Sequence, residues 1–297
     1  MPQTVLVTGA SGFVGSHLCT ALVAAGHDVR AMTRHPDDYD GAGKAVYGDV
    51  DDEQSLRAAM DGVTAAYYFV HALGSDDFEQ RDADSARRFA AAAADAALRQ
   101  IVYLGGLGSD QDDLSAHLRS RRQVEKLLGE TGVPVTVLRA AVVIGDGGIS
   151  WEITRQLVEH LPVMLTPKWT KTRTQPIALA DVVRYLAGVL GNEKAIGRTF
   201  EVGGPDVLEY ADMMRRAAIV QGKKLRMIDV PLLSTTLSSH WLALVTDVDL
   251  TTARNLVDSM SNEVVVRDKS IHDVVSGEDI GYDESVRRAL ADRAAKS

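Results

Sequence analysis

The chain has 297 residues, 45% of them hydrophobic and 25% charged, the make-up of a globular protein rather than a disordered or fibrous one. A net charge of −9 argues against a nucleic-acid surface or a patch for anionic lipids. The single cysteine, Cys19, excludes an internal disulfide framework and a cysteine zinc cluster.

Thr4–Thr8 reads as a β-branched, apolar strand. It breaks into Gly9-Ala10-Ser11-Gly12-Phe13-Val14-Gly15, and Phe13–Ala25 continues as a helix ended by Gly26. A strand, a glycine turn and a helix in immediate succession put backbone N–H groups at a helix N-terminus, where the dipole favours negative charge. The spacing is Gly-x-x-Gly-x-x-Gly, and the strand–turn–helix context supplies its specificity. One glycine allows the tight turn, one lets a pyrophosphate reach the backbone, and one lets helix and strand pack closely. The prediction is a dinucleotide site built from Gly9, Ala10, Ser11, Gly12, Phe13, Val14 and Gly15. Cys19 falls on the apolar side of this helix and reads as a packed thiol.

Val29–Thr33 is the second strand. Met32-Thr33-Arg34-His35 stands where an acidic residue ordinarily holds the ribose 2′-hydroxyl. A guanidinium there matches a phosphate, and the missing carboxylate removes a repulsion. NADP(H) is therefore expected over NAD(H), with Arg34 as the contact; Asp37 and Asp38 oppose this if the loop folds back. Lys44–Tyr47 is the third strand, followed by Gly48-Asp49-Val50. There Asp49 either accepts from the adenine amino group or caps the helix expected over Asp51–Met60; Asp51 or Asp52 can cap it instead, which favours the adenine role. Ala65–Val70 is the fourth strand. Tyr67 and Tyr68 point to its opposite faces, which puts one of them in the core. Val70 and His71 end it beside the expected crevice.

A long helix with an alanine-rich run is predicted over Asp76–Arg99, a fifth strand over Ile101–Leu104, a helix over Ser115–Glu130 and a sixth strand over Val133–Arg139. The rhythm then changes. Ile149–His160 is a helix on an excursion, and Leu161–Gln175 reads as irregular and basic. Lys168, Lys171 and Arg173 either meet an anion or form a solvated loop. Trp151 and Trp169 serve packing, a pocket or a dimer contact. Ala180–Leu190 returns as helix and Thr199–Val202 as strand. Helices follow roughly over Tyr210–Gln221, Leu232–Val245, Leu250–Ser259 and Asp283–Ala294. The fold class is α/β, a Rossmann-type doubly wound parallel sheet with a smaller, mostly helical C-terminal part. The domain plan is a nucleotide-binding domain over 1–205, its excursion at about 146–175, and a substrate or cap region over 206–297. No run of about twenty apolar residues is present, and the first strand begins without a leader, so no membrane span and a cytoplasmic location are expected.

Four segments together resemble the short-chain dehydrogenase/reductase superfamily in its extended and atypical branches. They are Thr8-Gly9-Ala10-Ser11-Gly12-Phe13-Val14-Gly15, Gly48-Asp49-Val50, Gln175-Pro176-Ile177-Ala178-Leu179-Ala180-Asp181-Val182 and Phe200-Glu201-Val202-Gly203-Gly204-Pro205. The resemblance covers residues 1–205. Tyr103-Leu104-Gly105-Gly106-Leu107-Gly108, Leu118-Arg119-Ser120-Arg121 and Leu138-Arg139-Ala140-Ala141 narrow it. They are similar to NmrA-like and complex-I-accessory-subunit-like NAD(P)H-binding proteins, and to a bacterial group often labelled nucleoside-diphosphate-sugar epimerases. Active members of the superfamily use a tyrosine as acid/base, a lysine four residues on, and a serine on the preceding strand. Those positions hold His117, Arg121 and Gly105 or Gly106 here.

The resemblance thus implies NADP(H) binding and leaves the chemistry open. In the preferred reading the protein is an oxidoreductase on a small organic substrate. His117 relays a proton, titrating near neutrality, and Arg121 holds the nicotinamide ribose. Ser109, Tyr103, Tyr68 and His71 are the candidates for the missing substrate-polarising group. In the other reading the chain is a non-catalytic NADP(H) sensor or accessory subunit with a protein partner. A sugar-nucleotide epimerase is disfavoured by the missing tyrosine. No metal is called for. The two long core helices often pair between subunits in the superfamily, so a monomer or a homodimer is expected.

Overall fold

The computed structural model describes residues 2–72, 74, 75, 77–109, 112–230, 246, 247 and 249–296. The apolar runs before Gly203 become strands β1 (Thr4–Val7), β2 (Asp28–Thr33), β3 (Lys44–Tyr47), β4 (Ala65–Tyr68), β5 (Gln100–Gly106), β6 (Val135–Ala140), β7 (Val143–Ile144), β8 (Val163–Thr166), β9 (Arg173–Thr174), β10 (Ile177–Ala178) and β11 (Thr199–Val202). Between them run helices α1 (Phe13–Ala24), α2 (Glu53–Met60), α3 (Phe78–Asp95), α4 (Ala116–Gly129), α5 (Ile149–His160) and α6 (Leu179–Val189). Beyond them lie β12 (Leu208–Glu209), α7 (Tyr210–Val220), β13 (Arg226–Asp229), α8 (Leu250–Ser259) and α9 (Tyr282–Lys296).

Seven strands form one sheet in the order β11-β6-β5-β4-β1-β2-β3, all pairs parallel. The chain moves outward from β1 to β3, then crosses back to place β4 on the other side of β1. That reversal makes a crevice beyond the carboxyl ends of β1 and β4, where α/β proteins of this kind bind ligands. The expected Rossmann-type α/β architecture is the one found.

Alternation along β1 sends Val5 and Val7 to one core and Leu6 to the other. The first core lies under α1 and α6 with Leu18, Tyr185 and Leu186; the second lies under α2, α3 and α4 with Leu56, Phe89 and Leu128. Because both faces are covered, Tyr67 and Tyr68 are both fully buried, one in each core, where the sequence predicts only one. Tyr67 donates its hydroxyl to the Leu186 carbonyl at 2.9 Å. Cys19 packs in the first core, and burial pushes its thiol up to about 11, as expected of an inert group.

Asp52, one of the three acids the sequence offers as a cap, takes that role on α2, its carboxylate accepting from the Gln54 and Ser55 amides. Several boundaries differ from expectation for local reasons. Helix α3 ends at Asp95, and the chain turns at Ala97 with a left-handed φ of 52°. The segment over 161–175 is not wholly irregular: β8 pairs in parallel with β13, a strand the sequence reading left out. Lys171 pairs with Asp229 at 2.8 Å and Arg173 with Glu263 at 2.8 Å, so two of the three basic residues are neutralised on the surface. Trp151 and Trp169 are both buried in a third core with Met213, Met214 and Leu256, which decides for packing. The helix expected over 232–245 lies outside the described residues. Ile271 and Val275, late in the chain, return to complete the first core. Among the described residues no helix is long and apolar enough to cross a membrane, and no cluster of three or more His, Cys, Asp or Glu could hold a metal ion.

Candidate nucleotide and active site

The turn after β1 is built from glycines for two separate reasons. Gly9 takes a left-handed φ of 62°, which side chains rarely adopt. Gly15 lies so close to the turn that a Cβ on it would sit 2.2 Å from the Gly9 carbonyl oxygen. Gly12 donates its N–H to the Gly9 carbonyl at 2.9 Å and stands at the N-cap of α1. No side chain caps that helix. Its first amides are therefore open to an outside acceptor, and an anion at a helix N-terminus is the usual one.

A cleft of two lobes opens at this turn. The larger, about 580 Å³, is lined by Gly9, Ser11, Arg34, Asp49, Val50, Val70 and His71, among others. The smaller, about 200 Å³, is lined by Gly9, Gly12, Phe13, Val14, Gly15, Phe69, His71 and Leu104. His71 belongs to both and marks their junction. All but two of the residues expected to meet the cofactor therefore share one cleft. Ala10 does not line it; its methyl is sealed in the first core. Arg121 does not line it either and lies behind it, as described below.

Arg34 is exposed at the rim. Asp37 and Asp38 curl into a short 3-10 turn and line neither lobe. The carboxylate of Asp49 accepts the Asp51 amide at 3.0 Å and lines the wall, its capping role taken by Asp52.

Sequence reasoning missed Asp82, which also lines the larger lobe. Its two carboxylate oxygens accept from the Ala72 amide at 2.8 Å and the Ser120 hydroxyl at 3.0 Å. It thereby ties the segment after β4 to α4. Burial raises its carboxyl, and the two hydrogen bonds oppose that rise. Nothing in Gln80-Arg81-Asp82-Ala83-Asp84 distinguishes this acid from its solvated neighbours.

Helix α4 begins at Ala116, its first turn capped by the Ser115 hydroxyl accepting from the Leu118 amide. It carries His117 and Arg121 one turn apart, both half-buried. Neither lines a lobe of the cleft. Burial pushes the His117 imidazole down to about 4. This corrects the expectation of titration near neutrality: desolvation keeps the ring uncharged at neutral pH. Burial lowers the Arg121 guanidinium to about 9, which leaves it a cation there. The serine position is vacant for a packing reason. A Cβ on Gly106 would lie 2.7 Å from a Leu118 methyl, so the absent side chain lets α4 approach β5.

The NAD(P)H-binding family profile matches residues 9–193. The chain belongs to the NAD(P)H-binding family. This NAD(P)H-binding protein is 28% identical over 234 residues to the (4-alkanoyl-5-oxo-2,5-dihydrofuran-3-yl)methyl phosphate reductase of Streptomyces griseus, covering 75% of each chain. It is 28% identical over 244 residues to the ceramide reductase of Caulobacter vibrioides, covering 76% of this chain and 73% of that one. Its fold is similar to that of the NADPH-dependent quinone oxidoreductase of Escherichia coli solved with NADPH, with a TM-score of 0.79 at 19% identity over 96% of this chain and 99% of that one. The superfamily resemblance read from the motifs agrees with this membership. The glycine turn, with no room for a Cβ at Gly15 and free amides at α1, fits a dinucleotide.

Proposed function

We propose that this protein is a reductase that takes NADP(H) in preference to NAD(H) and acts on a small organic substrate. The observation that carries the reading is the open glycine turn leading into a cleft whose rim bears Arg34, with Asp37 and Asp38 outside both lobes. The reductase relatives support the class of reaction. In this reading the amides over Gly9–Gly15 bind the pyrophosphate, and Arg34 pairs with the 2′-phosphate. Asp49 and Val50 hold the adenine, while Val70 and His71 border the nicotinamide half. Arg121, behind the cleft, would reach toward the nicotinamide ribose from α4. The bound cofactor supplies the hydride. His117, neutral at pH 7, accepts a proton at one ring nitrogen and passes one from the other. The protein works in the cytoplasm as a monomer, or as a homodimer through α3 and α4.

Calorimetric titrations with NADPH and NADH test the cofactor. The wild type favours NADPH. Arg34→Ala weakens NADPH roughly tenfold or more and leaves NADH unchanged. Equal affinities in the wild type overturn the preference. A carbonyl and quinone panel tests the chemistry: His117→Ala lowers turnover roughly a hundredfold, and full retention removes His117 from the mechanism.

A second reading rests on His117, Arg121 and Gly105 or Gly106 replacing the superfamily's tyrosine, lysine and serine. It makes the protein an NADP(H) sensor or accessory subunit. Tight NADPH binding with no turnover on the whole panel, together with a protein captured in a pull-down, decides for it. An epimerase lacks its tyrosine here.

A further inference from the structure

Burying a polar atom without a partner costs about 1–3 kcal/mol, and more for a charged one. The protein leaves such atoms on three residues near the end of β4 and the start of α4. Tyr68 Oη, His71 Nδ1 and Arg121 Nη1 are buried with no hydrogen-bond partner among the described residues. His71 sits at the junction of the two cleft lobes. Its ring lies edge-on to Tyr68 and to Tyr103, with centroids 6.5 Å and 6.1 Å away. Both tyrosines are fully buried and line neither lobe. Arg121 approaches them from α4. Its carbonyl accepts the Tyr103 hydroxyl at 3.5 Å, and the charge of its guanidinium acts on Tyr68.

Two acids lie near this cluster, and neither forms an ion pair with Arg121 among the described residues. Asp82 is held by the Ala72 amide and the Ser120 hydroxyl, and Glu125 makes a bidentate pair with Arg139. A cation thus stands behind the cleft, near a phenol that burial and Asp82 keep protonated. The buried, unpartnered Nη1 of Arg121 calls for an acceptor.

We propose that Arg121, Tyr68 and His71 form an oxyanion pocket, and that the ligand presents to it an oxygen that is, or becomes, negatively charged. The use of the pocket rests on the reductase reading, in which that oxygen belongs to the substrate carbonyl. A guanidinium and a neutral phenol both donate, and fixed donors in a dry site stabilise developing charge without reorganising. Tyr68, one of four candidates for the missing polarising group, is thereby selected. Arg121 carries more donors than a ribose hydroxyl needs, so the two assignments are compatible. A carboxylate and an enolate-type oxygen share this chemistry.

The test uses coloured probes and needs no turnover. With the protein saturated in NADP⁺, 4-nitrophenol stands for the incipient oxyanion and 4-nitrobenzoate for a permanent carboxylate. The visible phenolate band reports the ionisation of the first, and calorimetry the binding of both. The wild type binds 4-nitrophenol as the phenolate. Arg121→Met weakens it roughly tenfold to a hundredfold and Tyr68→Phe roughly threefold to tenfold. Binding of the carboxylate alone, with the same losses, also supports the pocket and names a permanent anion as its ligand. Because Arg121 gives up no partner, Arg121→Met melts no lower than the wild type. Neither probe binding, or binding indifferent to both substitutions, overturns the proposal. Should Arg121→Met fail to fold, its guanidinium is structural and the proposal falls. NADPH fluorescence is titrated in parallel. If NADPH does not bind while the apo protein still takes the phenolate, the reductase reading fails and the pocket stands.

Discussion

Gly15→Ala protein does not bind NADPH at concentrations that saturate the wild type. The added Cβ falls 2.2 Å from the Gly9 oxygen, 2.9 Å from the Gly9 carbon and 3.1 Å from the Ala10 Cα. All three are backbone atoms, so no rotamer change relieves the clash. Either α1 shifts away from the turn or the turn opens. Both scatter the amides that face the pyrophosphate, and affinity falls roughly a hundredfold or more. The same strain costs about 2–4 kcal/mol of stability, visible as a lower melting temperature. Gly26→Ala is the control. Its φ of 85° is strained for alanine, but nothing lies within 4 Å of the new Cβ and the site is remote from the cleft. It loses about 1 kcal/mol and keeps its affinity for NADPH. Undiminished NADPH binding by Gly15→Ala removes the glycine turn from the site.

Acid destabilises the wild type more than it destabilises His117→Gln. The His117 imidazole moves from an ordinary 6.5 to about 4 on folding. The unfolded chain therefore binds that proton more readily than the native one. Stability from the neutral ring is present in full above pH 6.5 and is lost as pH falls to about 4. The difference is at most about 3 kcal/mol, because part of the ring touches solvent. Urea titrations of both proteins across that window measure it. Parallel curves show that the ring titrates in the native state as it does in water.

What could be read from the chain follows the range of the contacts. The turn at Gly9 to Gly15 is legible because strand, glycines and helix are neighbours in sequence. Tyr67 and Tyr68 are half legible: the alternation is local, but the helices that bury both faces come from elsewhere. The pairing of β8 with β13 leaves no local trace. It joins segments far apart, through contacts such as the Thr166 hydroxyl donating to Asp229 at 2.7 Å. Asp82 and the orphaned cluster fail for the same reason. Tyr68, Asp82 and Arg121 come from β4, α3 and α4, and only the folded sheet brings them together. His117 shows a different limit. Its identity announces a group poised near neutrality, and its surroundings cancel that.

The return of Ile271 and Val275 beneath α1 and α6 has a bearing on biosynthesis. The ribosome makes Val5 and Leu18 early, yet the layer that covers them stays unfinished until these two late residues emerge. Consolidation of that layer waits on loop closure between segments far apart in the sequence.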